Sequence, residues 1–417
     1  MDKPTGTRRG SDRPFEPHFS LPRQTAVSTA APTLQYAPLL WLALGAFAVG
    51  TESFMIAAIL PAIARDLAVG VAAIGQLVTI FALAYGLSSP ILTTLTGSIN
   101  RRRLLIFSMT AFSVVNLMAA ATPGYWYLVA ARVLLAFSAG LYVPNANALA
   151  SALVSPERRA RAIAIVNGGL TVAIALGVPL GSLVGTRFGW RMPFVGVAIL
   201  SAIAVRGLTT GLPLGVGAGM SATSLQERMA VVRMPAVLPA LSVTTFWAVG
   251  SYAVYTYIAP FMVLATGIPA SRIGFVLFAW GVSAGIGLYI GGVVSDKLRP
   301  HFVISTSLPL LAIALTSLSV SAHFLAASAA LIPVTIGVSL WGISSWAFFP
   351  AQQARLIGIA GVKVAPIVLS LNASFMYLGF SLGAALGGLT LINGTAADLG
   401  WIGGVSELIA FGLVLRQ

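Results

Sequence analysis

Cysteine is absent from the 417 residues, and charged residues make up only 8% of them. Without a thiol, the chain can form no disulfide, no cysteine nucleophile and no cysteine-ligated metal centre. Histidine occurs only three times, with no metal-ligand spacing, so we expect neither a metal nor a cofactor. Soluble domains carry about 25% charged residues. At 58% hydrophobic residues, this chain is instead expected to lie in a membrane.

Motifs for nucleotide binding and hydrolysis are missing or misplaced. The sequence contains neither a Walker A motif nor an H-E-x-x-H motif. The segment GVSAG at 281–285 fits the G-x-S-x-G pattern of hydrolases, but it falls inside an apolar run and not at a strand-to-helix turn. We therefore do not expect an enzyme.

Long apolar runs are abundant, and their length decides the fold class. A helix that crosses a bilayer needs about 20 apolar residues, and the runs lack the alternating pattern of a membrane β-barrel. The sequence therefore predicts an all-α membrane protein with twelve spans, at 37–63, 73–96, 104–122, 125–153, 162–186, 190–212, 237–264, 273–294, 302–321, 325–353, 364–390 and 399–415.

The formal net charge of +14 has to be explained by the placement of the basic residues. Most Lys and Arg fall in the two tails and the even-numbered loops, as the positive-inside rule requires when both termini are cytoplasmic. The opposite face carries only Arg65, Arg187, Arg191 and Arg272. This pattern indicates a multi-pass protein of a bacterial inner membrane, in contact with anionic lipid, and not a nucleic-acid-binding protein.

The spans divide into two related halves. We predict a disordered cytoplasmic tail at 1–35, a six-helix bundle at 36–212, a cytoplasmic linker at 213–236 and a second six-helix bundle at 237–417. AVGTESFMIAAILP at 48–61 aligns with AVGSYAVYTYIAP at 248–260, and LGVPLG at 176–181 aligns with LGAALG at 382–387. Two parallel six-helix repeats are typical of major facilitator transporters, which bind substrate between the halves.

Four segments resemble the twelve-span drug/proton antiporter group of the major facilitator superfamily, close to sugar-efflux and chloramphenicol-resistance permeases. They are GTESFMIAAILPAIARDL from residue 50, LVAARVLLAFSAG from 128, LGVPLGSLVG from 176 and AVYTYIAPF from 253. The resemblance implies the major facilitator fold and identifies Gly177, Pro179 and Gly181 as an antiporter motif that seals span 5 against span 8. It also implies a cytoplasmic gate at Arg101, Arg102, Arg103, Asp296 and Lys297. The first copy of that gate departs from the family, because Gly97 stands where an Asp is usual.

Glu52 and Arg132 are charged residues deep inside predicted spans. A charged residue at the bilayer centre costs about 2.5–3.5 kcal/mol on insertion scales, so it normally faces a partner or a cavity. At 1.5 Å per residue, Glu52 lies roughly 15 Å and Arg132 roughly 10 Å below the same surface, so their side chains can meet. We predict that they couple transport to protons; the alternative is a permanent ion pair that fixes helix packing. Glu407, in span 12, is interpreted as a neutral acid packed against another helix.

Polar and aromatic residues inside the spans are candidates for lining a substrate cavity. Tyr252 and Tyr255 share one face of span 7, and Tyr252 occupies the repeat position that matches Glu52. Simple packing is the alternative for each of these side chains. The full set is Tyr85, Asn116, Asn145, Tyr252, Tyr255, Trp341 and Asn372.

Together these features predict a secondary active transporter that exports a small amphipathic compound, a drug or a sugar-like molecule, in exchange for protons. A proton-coupled or uniport nutrient importer of the same fold is the main alternative, and an intramembrane enzyme or sensor is a distant one. The expected partners are the substrate, protons and the lipid bilayer, with the protein acting as a monomer.

Overall fold

The computed structural model describes residues 36–217 and 224–417, so the tail predicted at 1–35 lies outside the described residues. Nearly all of the described chain is helical. A helix satisfies each backbone hydrogen bond within its own segment, which is what an apolar run in lipid requires. Twelve helices in the described ranges are long and apolar enough to cross a membrane, and the predicted fold class is confirmed.

The helices of the first half follow the predicted spans to within a few residues, apart from the interruption in the fifth. They are α1 (Tyr36–Asp66), α2 (Val71–Leu95), α3 (Arg101–Ala120), α4 (Tyr125–Ala152), α5 (Arg159–Val172), α6 (Val178–Phe188) and α7 (Met192–Gly211). A π-helical turn at Ala173–Gly177 joins α5 to α6, so these three segments form one span. Pro179 has no N–H to donate to the carbonyl four residues earlier, which explains the interruption.

The second half begins after a short helix in the linker, α8 (Leu225–Val232). The seventh span is also interrupted: the helix breaks between α9 and α10, and Pro260, which has no N–H to donate to the Thr256 carbonyl, favours the break. The helices are α9 (Val237–Tyr255), α10 (Ile258–Thr266), α11 (Ile273–Lys297), α12 (Pro300–Phe324), α13 (Ala327–Ala360), α14 (Ala365–Asn393) and α15 (Leu399–Leu415).

Equivalent glycines of the two halves pack in equivalent ways. A Cβ on Gly177 would collide with Thr51 of α1, and a Cβ on Gly383 would collide with the Val249 carbonyl of α9. Both glycines come from the repeated LG-x-x-LG segment, and α1 and α9 are the first helices of their halves. Small residues allow such close approach of helix backbones in a membrane. The repeat detected in the sequence is therefore also a repeat of packing.

Where the two halves meet, α2 packs against α14, and the π turn and α6 pack against α11. Gly86 of α2 approaches the backbone of α14, since a Cβ there would lie 3.1 Å from the Ser374 carbonyl oxygen. Gly281 of α11 approaches the π turn, where a Cβ would lie 2.7 Å from the Ala175 Cα. The boundary between the halves is thus built on glycine contacts, and the site lies along it.

Candidate functional site

The centre of the site is an ion pair between the two first-half residues Glu52 and Arg132. Arg132 Nη1 donates to Glu52 Oε1, and both side chains are fully buried. Arg132 Nε also donates to the Leu77 carbonyl at 3.3 Å, and its guanidinium carbon lies 4.2 Å from the centre of the Phe81 ring. The second span therefore supplies a carbonyl and an aromatic face that hold the cation against α1.

The ion pair does not satisfy all of its own polar atoms. Glu52 Oε2 and Arg132 Nη2 are buried and have no hydrogen-bond partner among the described residues. A buried polar atom without a partner costs about 1–3 kcal/mol. The pair therefore retains one acceptor and one donor with which a proton, water or a polar ligand group can interact.

The pair lies beside the contact between the two halves. Phe54, two residues after Glu52, makes edge contacts with the rings of Tyr252 and Tyr255, at 6.1 and 5.8 Å between ring centres. Tyr255 Oη donates to the Phe54 carbonyl at 3.1 Å and so joins α9 to α1. On α2, Tyr85 stacks on Tyr377 of α14, with ring centres 3.8 Å apart. Three of the predicted cavity residues thus lie at the boundary between the halves.

A small aromatic pocket lies against this boundary. Apart from Phe54, its lining residues come from the second half, and it includes three of the residues predicted from the sequence. They are Phe54, Trp247, Ser251, Tyr252, Tyr255, Trp280, Trp341, Ser345, Trp346 and Phe380. Tyr252 stacks on Phe380 at 3.6 Å, and Trp280 lies 4.8 Å from Tyr255 and 5.4 Å from Trp341, measured between ring centres.

The three predicted asparagines lie away from this pocket. Asn116 is buried on α3 and donates to the Phe112 carbonyl of its own helix. Asn145 accepts a hydrogen bond from Arg101 Nη1 at 2.9 Å, which places it with a residue assigned to the gate. Asn372 accepts from Thr244 Oγ1 at 2.7 Å. Each of these amides therefore has a bonding partner within the protein.

The predicted gate residues separate into buried and exposed positions. Arg101 is buried against Asn145, whereas Arg103 is exposed at the start of α3. Arg102 donates to the carbonyls of Thr209 and Leu212, at 2.6 and 3.1 Å, and so caps the end of α7. Asp296 and Lys297 are exposed at the end of α11. The basic cluster is thus bonded within its own half.

A different side chain connects the halves near the gate. Arg228 of the linker helix α8 is largely buried and donates to Thr93 of α2 at 3.2 Å and to Ser370 of α14 at 2.7 Å. Helix α8 is held in place by Val231, which packs in a cluster with α9, α13 and α14. The linker helix therefore contributes a side chain that bonds to both halves.

The segment that resembles an antiporter motif makes contacts on two sides. Gly177 and Gly181 contact Thr51 and Met55 of α1, inside the first half. On the other side the span packs against α11, where a Cβ on Gly274 would lie 3.4 Å from Ser182 Oγ and 3.7 Å from the Pro179 carbonyl oxygen. The contact with α11 that the resemblance implied is made by this part of α6 and by the neighbouring π turn, while the two glycines pack the span against α1.

Glu407 is a second buried acid, and it has no charged partner. Both of its carboxyl oxygens lack a hydrogen-bond partner among the described residues, and they pack against the backbone at Gly250 of α9. Gly250 is the repeat equivalent of Gly50, two residues before Glu52. The first half therefore carries a buried carboxyl group on its first helix, α1, paired with Arg132. The second half has a buried carboxyl group packed against its first helix, α9, with no charged partner among the described residues.

The sequence analysis missed several aromatic residues at the site, among them Phe54, Trp247, Trp280, Tyr377 and Phe380. Phe54 could have been found from its place beside Glu52, since both lie within one helical turn. Trp280 lies one residue before the GVSAG segment, in a run with no other polar signal. Within the described residues, no group of three or more His, Asp or Glu could hold a metal ion.

Comparison with known proteins matches residues 42–384 to the model of the Major Facilitator Superfamily. The uncharacterized MFS-type transporter YbcL of Bacillus subtilis strain 168 is 33% identical over 369 residues, 88% of this chain and 92% of its own. The chloramphenicol resistance protein of Streptomyces lividans is 31% identical over 385 residues, 90% of this chain and 95% of its own.

A solved structure supports the fold. It is that of a bacterial homolog of the human lysosomal transporter Spinster in an inward-facing and occupied conformation. Its TM-score is 0.73 with 19% identity, over 91% of this chain and 95% of that chain. The inner membrane transport protein YdhP of Escherichia coli strain K12 is 32% identical over 357 residues, 86% of this chain and 89% of its own.

Proposed function

The chain belongs to the Major Facilitator Superfamily, and from that membership we propose that it exports a small amphipathic compound in exchange for protons by alternating access. The substrate binds between the six-helix bundles at 36–212 and 237–417. Both termini face the cytoplasm, and the protein works as a monomer in the bacterial inner membrane. The buried Glu52–Arg132 pair beside the contact between the halves is the observation that carries this proposal.

In this proposal, the Glu52–Arg132 ion pair couples proton uptake to transport. While Glu52 is ionised, its carboxylate balances the Arg132 charge, which burial would otherwise make costly. When Glu52 takes up a proton, Arg132 loses its counter-charge and keeps, among the described residues, only uncharged neighbours: the neutral acid, the Leu77 carbonyl and the Phe81 ring. The packing of α1 on α4 then loses much of its electrostatic stabilisation. Because Phe54 of α1 contacts Tyr252 and Tyr255, this change reaches the second half.

Export is favoured over import by two features. The LGVPLG segment resembles the antiporter motif, and the span that carries it packs against α11 across the boundary between the halves. A relative that is aligned over 90% of this chain is named for chloramphenicol resistance, which is consistent with export of a toxic compound. A proton-coupled importer would use the same ion pair with substrate and proton moving in one direction.

Transport in everted vesicles tests the proposal. Cells with and without the gene are first compared for susceptibility to a panel of toxic compounds that includes chloramphenicol. Compounds that are exported are then followed in vesicles under an imposed pH gradient. Glu52→Gln is expected to abolish gradient-driven transport, because an amide cannot carry the proton.

Glu407→Gln is the matched control. It makes the same chemical change at the other fully buried acid, outside the ion pair, and it is expected to leave gradient-driven transport intact. Full transport by Glu52→Gln would refute the role of the pair. Export that persists in the wild type after a protonophore has collapsed the gradient would refute proton exchange.

A further inference from the structure

Side-chain hydrogen bonds connect α2 of the first half to its partners at two different depths. Toward the start of α2, Ser381 of α14 donates to the Thr79 carbonyl at 3.0 Å. In the last turn of α2, Arg228 of the linker helix α8 donates to Thr93 Oγ1 at 3.2 Å. The second position, where α2 ends and α14 begins, is called the linker end below. Closure of the linker end therefore involves a side chain that belongs to neither six-helix bundle.

Helix α8 is attached to the second half. Arg228 Nη1 donates to Ser370 Oγ of α14 at 2.7 Å. On the same helix, Val231 packs in an apolar cluster whose other members all belong to the second half. The cluster consists of Val231, Val237, Ala240, Leu241, Leu356, Val368 and Leu371. If the halves separate at the linker end, α8 should therefore move with the second half, and the Arg228–Thr93 bond lies on the line of separation.

Ion pairs do not hold the linker end closed within the part of the chain that the structure describes. Each ion pair there joins two residues of the same half: Glu52 with Arg132, Asp66 with Arg191, and His323 with Asp398. In the loop after α2, Gly97 offers no carboxylate, and Asp296 at the end of α11 is exposed. Closure at this end therefore depends on neutral hydroxyl groups that accept hydrogen bonds from one guanidinium.

The bonding of Arg228 is suited to a contact that forms and breaks. The residue is 9% exposed, and its Nε is buried without an acceptor among the described residues. A buried donor without a partner destabilises the closed arrangement, whereas water can satisfy the same group once the linker end opens. The two bonds to hydroxyl groups favour closure, and the unpaired Nε opposes it. Such a contact biases an equilibrium between two states and does not lock one of them.

We propose that the Arg228–Thr93 hydrogen bond is a latch, which holds the two halves together at the linker end and breaks when that end opens. Helix α8 carries the latch arginine on the second half, and α2 supplies the acceptor on the first half. The proposal rests on the proposed function, in that opening of the linker end is the step of alternating access that faces the cytoplasm. The linker is then a part of the gate and not only a connection between the bundles.

Distances between two spin labels, measured by double electron–electron resonance in nanodiscs, test the latch. The chain contains no cysteine, so Ser98→Cys and Val362→Cys, at exposed positions, supply the only attachment sites. Ser98 follows α2 and Val362 precedes α14, so the label separation reports opening of the linker end. In this labelled background, Thr93→Val should raise the ratio of the long-distance to the short-distance population about tenfold or more, because it leaves a buried guanidinium N–H without an acceptor in the closed state.

Three further variants separate the latch from a general effect of substitution. Thr93 and Thr306 both donate to carbonyls of their own helices, so Thr306→Val makes the same change without a latch and should leave the ratio unchanged. Ser370→Ala removes a bond inside the second half and should raise the ratio less than Thr93→Val does. In an Arg228→Met background, Thr93→Val should cause no further change, because the donor is already gone. Size-exclusion chromatography verifies folding; if Arg228→Met aggregates, the three hydroxyl variants decide.

An unchanged ratio in Thr93→Val, or an equal rise in Thr306→Val, would overturn the proposal. So would a larger rise in Ser370→Ala, because α8 would then move with the first half. A full effect of Thr93→Val in the Arg228→Met background would mean that the threonine acts without the arginine, which also contradicts the latch. Because the distances are measured without substrate and without a pH gradient, a failure of proton-driven export in vesicles would contradict the proposed function without changing these ratios.

Discussion

Removing one member of the Glu52–Arg132 pair should destabilise the protein more than removing both. In Glu52→Gln, the Arg132 guanidinium stays fully buried without a counter-charge, because the Leu77 carbonyl and the new amide oxygen accept hydrogen bonds but carry no charge. Breaking a buried ion pair on one side typically costs about 3–5 kcal/mol, because one charge is left buried without compensation. The double variant Glu52→Gln/Arg132→Met removes that charge and leaves only a buried amide, so it should regain part of the stability that the single Gln variant loses.

The two single variants should also differ in their dependence on pH. Arginine cannot give up its proton in a protein, so the melting temperature of Glu52→Gln itself is not expected to change through this site between about pH 8 and about pH 5. Arg132→Met leaves Glu52, which can bind a proton and become neutral. Its loss should shrink as the pH falls, because a neutral acid costs less to bury than a carboxylate.

Thermal unfolding of the purified variants in one detergent measures these effects as apparent melting temperatures. The single Gln variant should melt several degrees below the wild type, and the double variant should melt between the two. The matched change Glu407→Gln should have little effect, since that acid has no charged partner. Additive losses in the double variant would refute the reasoning, because they would mean that the two charges do not stabilise one another in the folded protein.

Two further predictions concern the contacts between the halves. Gly281→Ala should lower the free energy of unfolding by about 1–3 kcal/mol through overpacking and should slow transport, because the new Cβ would lie 2.7 Å from the backbone of the π turn. Gly285→Ala is the control: the space around that position is open, so neither stability nor transport should change. Arg228→Gln should lose the two side-chain hydrogen bonds to α2 and α14, so the backbone amides of α8 should be less protected from hydrogen exchange than in the wild type. Arg233→Gln is the control: that residue is exposed, so the exchange of the α8 amides should match the wild type.

The sequence predicted the fold because each span carries its own signal. The end of α15 and the start of α9 coincide with predicted limits, since an apolar run must form a helix wherever it lies in lipid. The interruption of the seventh span after Tyr255 was not predicted. Its cause is visible in the sequence as Pro260, but Pro61 at the matching position lies inside an unbroken helix, so the proline alone does not determine the outcome.

The substrate pocket was less predictable than the ion pair. The Glu52–Arg132 contact follows from depth along two helices, which is simple arithmetic on the sequence. Whether an aromatic or amide side chain reaches a cavity depends on the rotation of its helix against its neighbours. Tyr252, Tyr255 and Trp341 line the pocket, while Asn116 is bonded to its own helix. Polarity selected all of these candidates but could not distinguish between them.

By itself, the sequence determined a membrane protein of twelve helices in two related halves, with one acid and one base buried at similar depth, because composition, periodicity and repeats act locally along the chain. Only the tertiary structure decided which side chains share the boundary between the halves. It packed the span of the LGVPLG segment against α11 and turned Gly177 and Gly181 toward α1, placed Arg228 between α2 and α14, and left the indole N–H groups of Trp280 and Trp341 unpaired among the described residues. These contacts join residues that are distant in sequence, and they are set by how whole helices pack.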